Sequence, residues 1–366
     1  MKVDVYESGP KPLAKVAITG GGRCNLTNSF EGIRSLGEAY PRGERLMKRL
    51  LRVFSQEDTW RWFEDAGVPL VLQDDHCVFP RSQDAMDSVH ALFRRMEGVN
   101  LLLRTPVHSI GPDLTVDGEA YDAVVVTTGG APKGLPLLEG LDLEWVPTVP
   151  SLFTFTIQDE GLRALMGLVV EATVSIPGTT FKADGPLLIT DWGLSGPAVL
   201  KLSSYAARHL HDAGYKAPLS VNWLSLSEAE TRALLEELST ANPRKQVSNT
   251  PPAGLQARLW NYLTVKAGLR LDIRWAELGS KGLNKLVNTL AQDSYTIAGK
   301  TKFRDEFVTC GGVALSNLNP ATLESKQYPG LYFAGEVLDI DAITGGFNLQ
   351  AAWTTGYVAA QSIASK

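Results

Sequence analysis

LYFAGEVLDIDAITGGFNLQAAWTTGY, residues 331–357, reads as strand, loop, glycine turn and helix, and that order decides the fold. Leu331, Tyr332 and Phe333 make a short apolar strand, and Ala334-Gly335-Glu336 ends it with a residue that lets the backbone approach a ligand closely. Asp339 and Asp341 mark an exposed loop. Thr344-Gly345-Gly346 opens a helix whose small and apolar positions, Leu349, Ala351, Ala352, Trp353, Val358 and Ala359, predict burial nearly all round. A glycine-rich helix start presents backbone N–H groups and the positive end of the helix dipole to whatever sits above it. That suits an electron-rich ring edge or an anion. A plain strand-turn-helix packing unit is the bland alternative, since Gly-Gly turns need no ligand.

Working outward, 366 residues are enough for two or three domains with a sizeable core. A net charge of -5 and a hydrophobic content of 44% describe an ordinary soluble protein, with no demand for a nucleic acid or a membrane surface. No apolar run approaches the roughly 18 residues of a membrane span, and MKVDVYESGP has no signal-peptide pattern, so the expected location is cytoplasmic. Cys24, Cys77 and Cys310 are too few and too scattered for a disulfide framework or a zinc site, and no metal is expected.

Val3 to Glu7 alternates like a strand and ends in an acid, as the second strand of a dinucleotide-binding unit does, where the carboxylate accepts hydrogen bonds from ribose hydroxyls. Glu7 is therefore a cofactor candidate. Ile18-Thr19-Gly20-Gly21-Gly22-Arg23-Cys24-Asn25-Leu26-Thr27-Asn28 has three glycines that permit close approach to a flat ligand, followed by polar residues that can donate or cap. Residues 44–67 read as two helices, the second capped by Ser55 and stopped by Gly67. A strand over Val68 to Leu72 follows, then Cys77-Val78-Phe79-Pro80. Ser82 caps a helix with a core stripe of Ala85, Met86, Val89, Leu92, Phe93 and Met96. Leu101 to Ile110 reads as a strand, and Leu114 to Thr128 as two strands about Asp117-Gly118. Tyr121 to Gly130 is a buried parallel-strand run ending in glycines.

From about Pro150 short β-rich segments punctuated by Gly and Pro, Leu152 to Ile157, Val169 to Ile176 and Leu187 to Thr190, predict a small barrel or sandwich. Ser195 superficially suggests a nucleophile elbow, but Pro197 stands where G-x-S-x-G requires glycine, so Ser195 reads as the cap of the helix Ala198 to His209. His209 and His211 do not share a helix face. Residues 227–290 read as helices: Ser227 caps Glu228 to Leu238, and amphipathic pieces cover Leu255 to Ala267 and Gly282 to Leu290. Residues 241–300 carry nine Lys/Arg against three acids, spaced as on a solvated face, with an acidic substrate or RNA as the alternative. Tyr295 to Phe307 returns as strands, and Val308 to Val313 leads back into the first domain.

At residues 20–28, 121–130, 193–197 and 331–357 the sequence resembles FAD-dependent oxidoreductases of the glutathione-reductase-like superfamily. Within it, the chain is similar to a family of bacterial NAD(P)/FAD-dependent, aminoacetone-oxidase-like flavoproteins, one relative of which is linked to reduction of bile-acid ring double bonds. The resemblance covers nearly the whole chain. It implies an α/β fold: a discontinuous Rossmann-like FAD-binding domain over 1–150 and 305–366, a β-barrel-like substrate domain over 151–225 and 291–304, and a helical insert over 226–290. It sets Gly335 and Glu336 near the ribityl and phosphate portion of FAD. Gly345, Gly346, Phe347, Asn348 and Leu349 fall under the pyrimidine edge of the ring. Gly21, Gly22, Arg23, Cys24 and Asn25 pass along the flavin, where Arg23 and Asn25 would touch cofactor or substrate. Val107 falls where relatives pack adenine, and Thr128, Gly129 and Gly130 beside the diphosphate-ribose. The family's longer segment after that strand is shortened here to Ala131-Pro132-Lys133-Gly134. Relatives also place a G-x-G-x-x-G unit before the strand ending at Glu7, so the expectation is a sequence that starts short of its natural beginning. Ser29 stands where redox-disulfide relatives carry a second cysteine, which leaves Cys24 without a dithiol partner; alone, it reads as a packed small residue.

The implied reaction is hydride transfer between FAD and a small organic substrate: NAD(P)H-dependent reduction of an enone or steroid ring, or amine oxidation. No second dinucleotide fingerprint exists in the chain, so NAD(P)H, if used, must approach the same flavin face as the substrate. No catalytic residue is assigned. The alternatives are a flavin-dependent RNA-modifying or RNA-binding protein and a flavin-free binding protein.

Overall fold

Two pairs of parallel strands organise the N- and C-terminal parts of the chain. Asp4–Glu7 pairs with Asn100–Leu103, and Val124–Val126 pairs with Leu331–Phe333. Parallel strands need long crossovers. The one from Glu7 to Asn100 carries the helices Glu44–Leu50, Gln56–Asp65 and Ala85–Arg95, and an antiparallel sheet in which Cys77–Pro80 lies between Thr27–Asn28 and Leu70–Leu72. Gln56–Asp65 starts at a capping box: Ser55 Oγ accepts from Asp58 N, and the Asp58 carboxylate accepts from Ser55 N. Phe63, Leu70, Val78, Val89 and Leu26 close a core beneath this sheet. The computed structural model describes residues 2–130, 135–300 and 308–366. These form two compact units, residues 1–149 with 308–366, and residues 150–307.

The second unit is a closed antiparallel barrel in the order Phe155–Ile157, Gly193–Ser195, Lys182–Ile189, Val169–Ser175, Ala217–Asn222 and Asp293–Lys300. Closure removes sheet edges and turns alternate residues inward; Phe155, Val174, Leu187, Ile189, Val221 and Ile297 fill the core. Helices Glu228–Ala241, Ala257–Lys266 and Trp275–Ala291 belong to the same unit. Their buried indoles are satisfied: Trp260 Nε1 donates to the Val247 carbonyl and Trp275 Nε1 to Thr250 Oγ1. Among the described residues no helix is long and apolar enough to cross a membrane.

Several local expectations are corrected. Asp84, not Ser82, caps the helix Ala85–Arg95, its carboxylate accepting from Met86 N. Met86 and Phe93 on that helix are exposed rather than core, because the smaller Ala85, Ser88, Val89 and Ala91 form its inner face. The strand expected to reach Ile110 ends at Leu103, and residues 114–128 form three short strands, not two, with Asp117-Gly118 at the hairpin turn. Val125 is exposed within its parallel strand. Ser195 lies on a strand opposite Leu188, and the following helix starts at Pro197 behind Gly196. The final helical piece begins at Trp275, seven residues before the expected Gly282, and is interrupted by left-handed Gly279. The shortened segment 131–134 and the end of the returning strand beyond Lys300 lie outside the described residues.

Candidate functional site

The C-terminal helix, Phe347–Ala364, starts from Gly346 in a left-handed conformation with φ 90°. No side chain of its own caps it. The cap comes instead from 321 residues away: with its amide oriented to satisfy both groups, Asn25 accepts from Gly346 N at 3.2 Å and donates to Thr27 O at 3.0 Å. Asn28 Nδ2 donates to Gly345 O at 3.0 Å, and Trp353 Nε1 donates to the Leu26 carbonyl. Thr27 Oγ1 donates to Gln350 Oε1, Gln350 Nε2 donates to Thr354 Oγ1, and Thr354 Oγ1 donates to the Phe54 carbonyl. Residues 25–28 of the first stretch singled out from sequence are thus tied to the start and first turns of the C-terminal helix. The N–H groups of Phe347, Asn348 and Leu349 have no intrahelical acceptor, as the first turn of any helix dictates.

The loop before the helix is held just as firmly. Asn348 accepts from Ala342 N at 2.9 Å and donates to Ala342 O at 3.0 Å, so its side chain braces the loop. Asp341, expected on an exposed loop, is fully buried and pairs bidentately with Arg42, Nε to Oδ1 at 2.6 Å. An ionised carboxylate cannot be left unpaired in a core, and Arg42 supplies the fork that matches it. Phe347 is buried edge-to-face against Phe30, and Tyr40 OH donates to the Phe347 carbonyl. Burial pushes the Tyr40 phenol well above its usual range. The helix is not apolar all round: Gln350, Thr354 and Thr355 are buried while Tyr357 is exposed.

A second cluster forms where the two central strands end. Gly335 N donates to Thr355 Oγ1 on the C-terminal helix. Glu336 Oε1 accepts from Thr309 N at 2.8 Å, and Lys15 Nζ lies 3.7 Å from Glu336 Oε2. A Cβ on Gly130 would stand 2.7 Å from Thr309 Cβ and 2.8 Å from Glu336 Oε1, so only glycine fits there. Gly129 lies beside the same carboxylate and Lys15. Gly129, Gly130, Gly335 and Glu336 therefore meet, joined by Lys15 and Thr309, which the sequence reading missed. Thr128 is exposed next to them.

The remaining candidates are spread more widely. Gly21 and Gly22 have φ 69° and 83° with open space where a Cβ would be, so backbone conformation alone demands glycine there. Arg23 is exposed and stacks over the Phe79 ring at 4.5 Å. Cys24 is fully buried, and burial pushes its thiol up; nearby Cys77 is pushed up to about 11 by burial. Both thiols stay protonated at neutral pH. Glu7 Oε1 accepts from Gly9 N at 2.6 Å within its own turn, and the Glu7 carbonyl accepts from Thr105 N. Val107 is half-buried on the loop that follows. Leu349 packs on the core beneath the sheet. Among the described residues no hydrogen bond ties Glu7 or Val107 to Gly345 or Glu336.

This arrangement can be set beside known proteins. Residues 1–362 match the HI0933-like protein Rossmann domain. The chain is 30% identical to the Escherichia coli ribosomal RNA dihydrouridine synthase over 99% of this chain and 92% of that protein. It is 26% identical to the Clostridium scindens 3-dehydro-bile acid delta(4,6)-reductase over 96% and 90% of the two chains. It is 27% identical to the Haemophilus influenzae ribosomal RNA dihydrouridine synthase over 99% and 92%. With a discontinuous α/β unit and a small barrel in its structure and a family match over nearly its full length, the chain belongs to the HI0933-like family of Rossmann FAD-binding proteins.

Proposed function

We propose that this chain is an FAD-dependent oxidoreductase that reduces a carbon–carbon double bond conjugated to a carbonyl group in a small organic substrate. The observation that carries the reading is the convergence of 25–28, 335–336 and 345–350 on one helix, with three first-turn N–H groups that have no hydrogen-bond acceptor among the described residues. These residues fit a flavin. The N–H groups of Phe347, Asn348 and Leu349, backed by the helix dipole, suit the negative charge that reduction places on the pyrimidine edge of the ring. Glu336, oriented by Thr309 N–H and Lys15, would accept from ribityl or ribose hydroxyls, and the bare backbone of Gly129 and Gly130 leaves room for that approach. Flavin, when bound, supplies the hydride chemistry; the chain binds and orients.

The relatives' names support the substrate class. Making dihydrouridine saturates a ring double bond conjugated to a carbonyl, and a delta(4,6)-reductase of a 3-dehydro bile acid acts on double bonds conjugated to a ketone. NAD(P)H is the proposed reductant. A uridine in ribosomal RNA is the second reading, favoured by two relatives bearing that name. Against it, two of the cations counted as basic excess are engaged internally: Lys266 pairs with buried Asp293 at 2.7 Å, and Arg258 donates to the Ala164 carbonyl.

The purified chain should show flavin absorbance at about 370 and 450 nm. NADPH or dithionite should bleach it without oxygen, and 2-cyclohexen-1-one or a 3-oxo-4,6-diene steroid should restore it. Folded protein that takes up no flavin overturns the proposal. Reoxidation by a uridine-containing ribosomal RNA fragment alone would move the substrate to the second reading.

A further inference from the structure

Arg23 is anchored but unspent. Its Nε donates to the Gly20 carbonyl at 3.2 Å, Nη1 lies 3.4 Å from Gln83 Oε1, and the guanidinium lies over the Phe79 ring at 4.5 Å. Gln83 is itself fixed, Nε2 donating to the Pro80 carbonyl and Oε1 accepting from Gln73. Arg23 forms no salt bridge with any described residue, although it is an exposed cation in a chain with excess acid. The two contacts take the Nε hydrogen and one Nη1 hydrogen, and a guanidinium has five N–H donors, so the second Nη1 hydrogen and both on Nη2 remain for an oxygen from outside. Gly21 and Gly22 precede Arg23 in the chain, with open space where a Cβ on either would stand. Two residues on, Asn25 caps the C-terminal helix at Gly346, and the Arg23 and Asn25 α-carbons can be at most about 7 Å apart. An arginine clamped on an aromatic face with its orientation set and its charge unpaired is preorganised for an anionic or developing-anionic oxygen.

We infer that Arg23, with the Gly21–Gly22 ledge and the Phe79–Gln83 support, forms the substrate subsite for the conjugated carbonyl oxygen. The inference rests on the double-bond reductase reading. When hydride adds to the carbon β to the carbonyl, the electron pair of the double bond moves toward the carbonyl and the oxygen gains negative charge. Arg23 stabilises that enolate oxygen, and the α-carbon then takes a proton from solvent; NAD(P)H is the source of the two electrons. Asn25 and Asn28 stay out of this step because both are committed to the helix start.

The test uses 4-nitrophenol, whose anion is a planar oxyanion that cannot be reduced at a conjugated double bond of this kind and reports its own ionisation by absorbance. In the flavin-loaded native protein, bound 4-nitrophenol should titrate about one unit lower than in solution, as expected for a charge-assisted contact. Arg23→Gln should keep its flavin spectrum and unfolding midpoint, return the probe to its solution titration and weaken phenolate binding at least about tenfold. Arg23→Lys should recover part of the binding but not the full shift, since an ammonium lacks the planar fork. Loss of flavin from Arg23→Gln would assign the guanidinium to the cofactor and overturn the inference. So would a native-like probe titration in Arg23→Gln. Failure of the native protein to hold flavin is a separate result that removes the reductase reading and the inference with it.

Discussion

Gly346 shows how one position can be constrained twice. Its φ of 90° lies in the region L side chains avoid, and a Cβ there would stand 2.6 Å from the Thr27 carbonyl carbon. Gly346→Ala should therefore lower stability by roughly 2 kcal/mol or more, from strain and displacement of the Thr27 backbone together. It should weaken flavin binding further than the stability loss alone, because the same clash pushes residues 25–28 off the helix start. Thermal unfolding with and without added FAD measures both; equal losses would show that the helix start does not contact the ligand. Gly21→Ala meets no neighbour and would carry only the φ penalty. Arg23, three residues from Gly20 and bound to its carbonyl, is the residue whose unspent donors distinguish this turn from a passive bend.

Among elements, the segment between the last strand and the C-terminal helix matters most. It leaves Phe333, passes through Gly335–Val337 and reaches Gly346 with Asp341 buried on the way. Arg42 and Asp341 form the buried ion pair that fixes its course, and Asn348 closes it from the helix side. Removing one partner leaves a buried charge uncompensated, so Arg42→Met or Asp341→Asn should each cost on the order of 3 to 5 kcal/mol in urea unfolding. The double replacement Arg42→Met with Asp341→Leu should recover much of that loss, since paired charges and a packed apolar pair are often close in stability. A double variant no more stable than the singles would mean that the pair also specifies the loop's path. The buried Thr27–Gln350–Thr354 chain does the same work with neutral groups, each hydroxyl and amide finding a partner.

At the scale of the molecule, each unit has its own hydrophobic core: one beneath the strands of residues 1–149 and 308–366, the other inside and around the barrel of residues 150–307. A ligand stabilises only what it binds. FAD at saturating concentration should slow amide hydrogen exchange around Gly129, Gly335 and Gly346, and leave the barrel strands Val169–Ser175 and Lys182–Ile189 at their ligand-free rates. Protection centred on the barrel strands would put the flavin in the wrong unit. Within the barrel unit, buried Asp293 accepts from Trp223, Tyr295 and Lys266, with Lys266 Nζ 3.4 Å from the Tyr295 ring centre. One carboxylate thus ties a helix, a barrel strand and a loop indole together.

The α/β character, the strand-turn-helix at 331–357 and the barrel-forming texture after Pro150 were legible in the sequence because periodicity, caps and glycines are local properties written in neighbouring residues. Ser55 and Ser227 announced their helices for the same reason, each answered three residues later by an acid. Gly129, Gly130, Gly335 and Glu336 could be named one by one. That they meet, with Lys15 and Thr309 between them, depends on which strands lie side by side, and no local pattern encodes that. Asp341 read as a loop acid because its partner, Arg42, is 299 residues distant. Asn25 could be named as a residue able to donate or cap, but that the helix it caps begins 321 residues later, at Gly346, is decided in space. Only the tertiary structure decides where a polar side chain spends its hydrogen bonds, because burial without a partner is costly and the partner is chosen by proximity in space rather than in sequence.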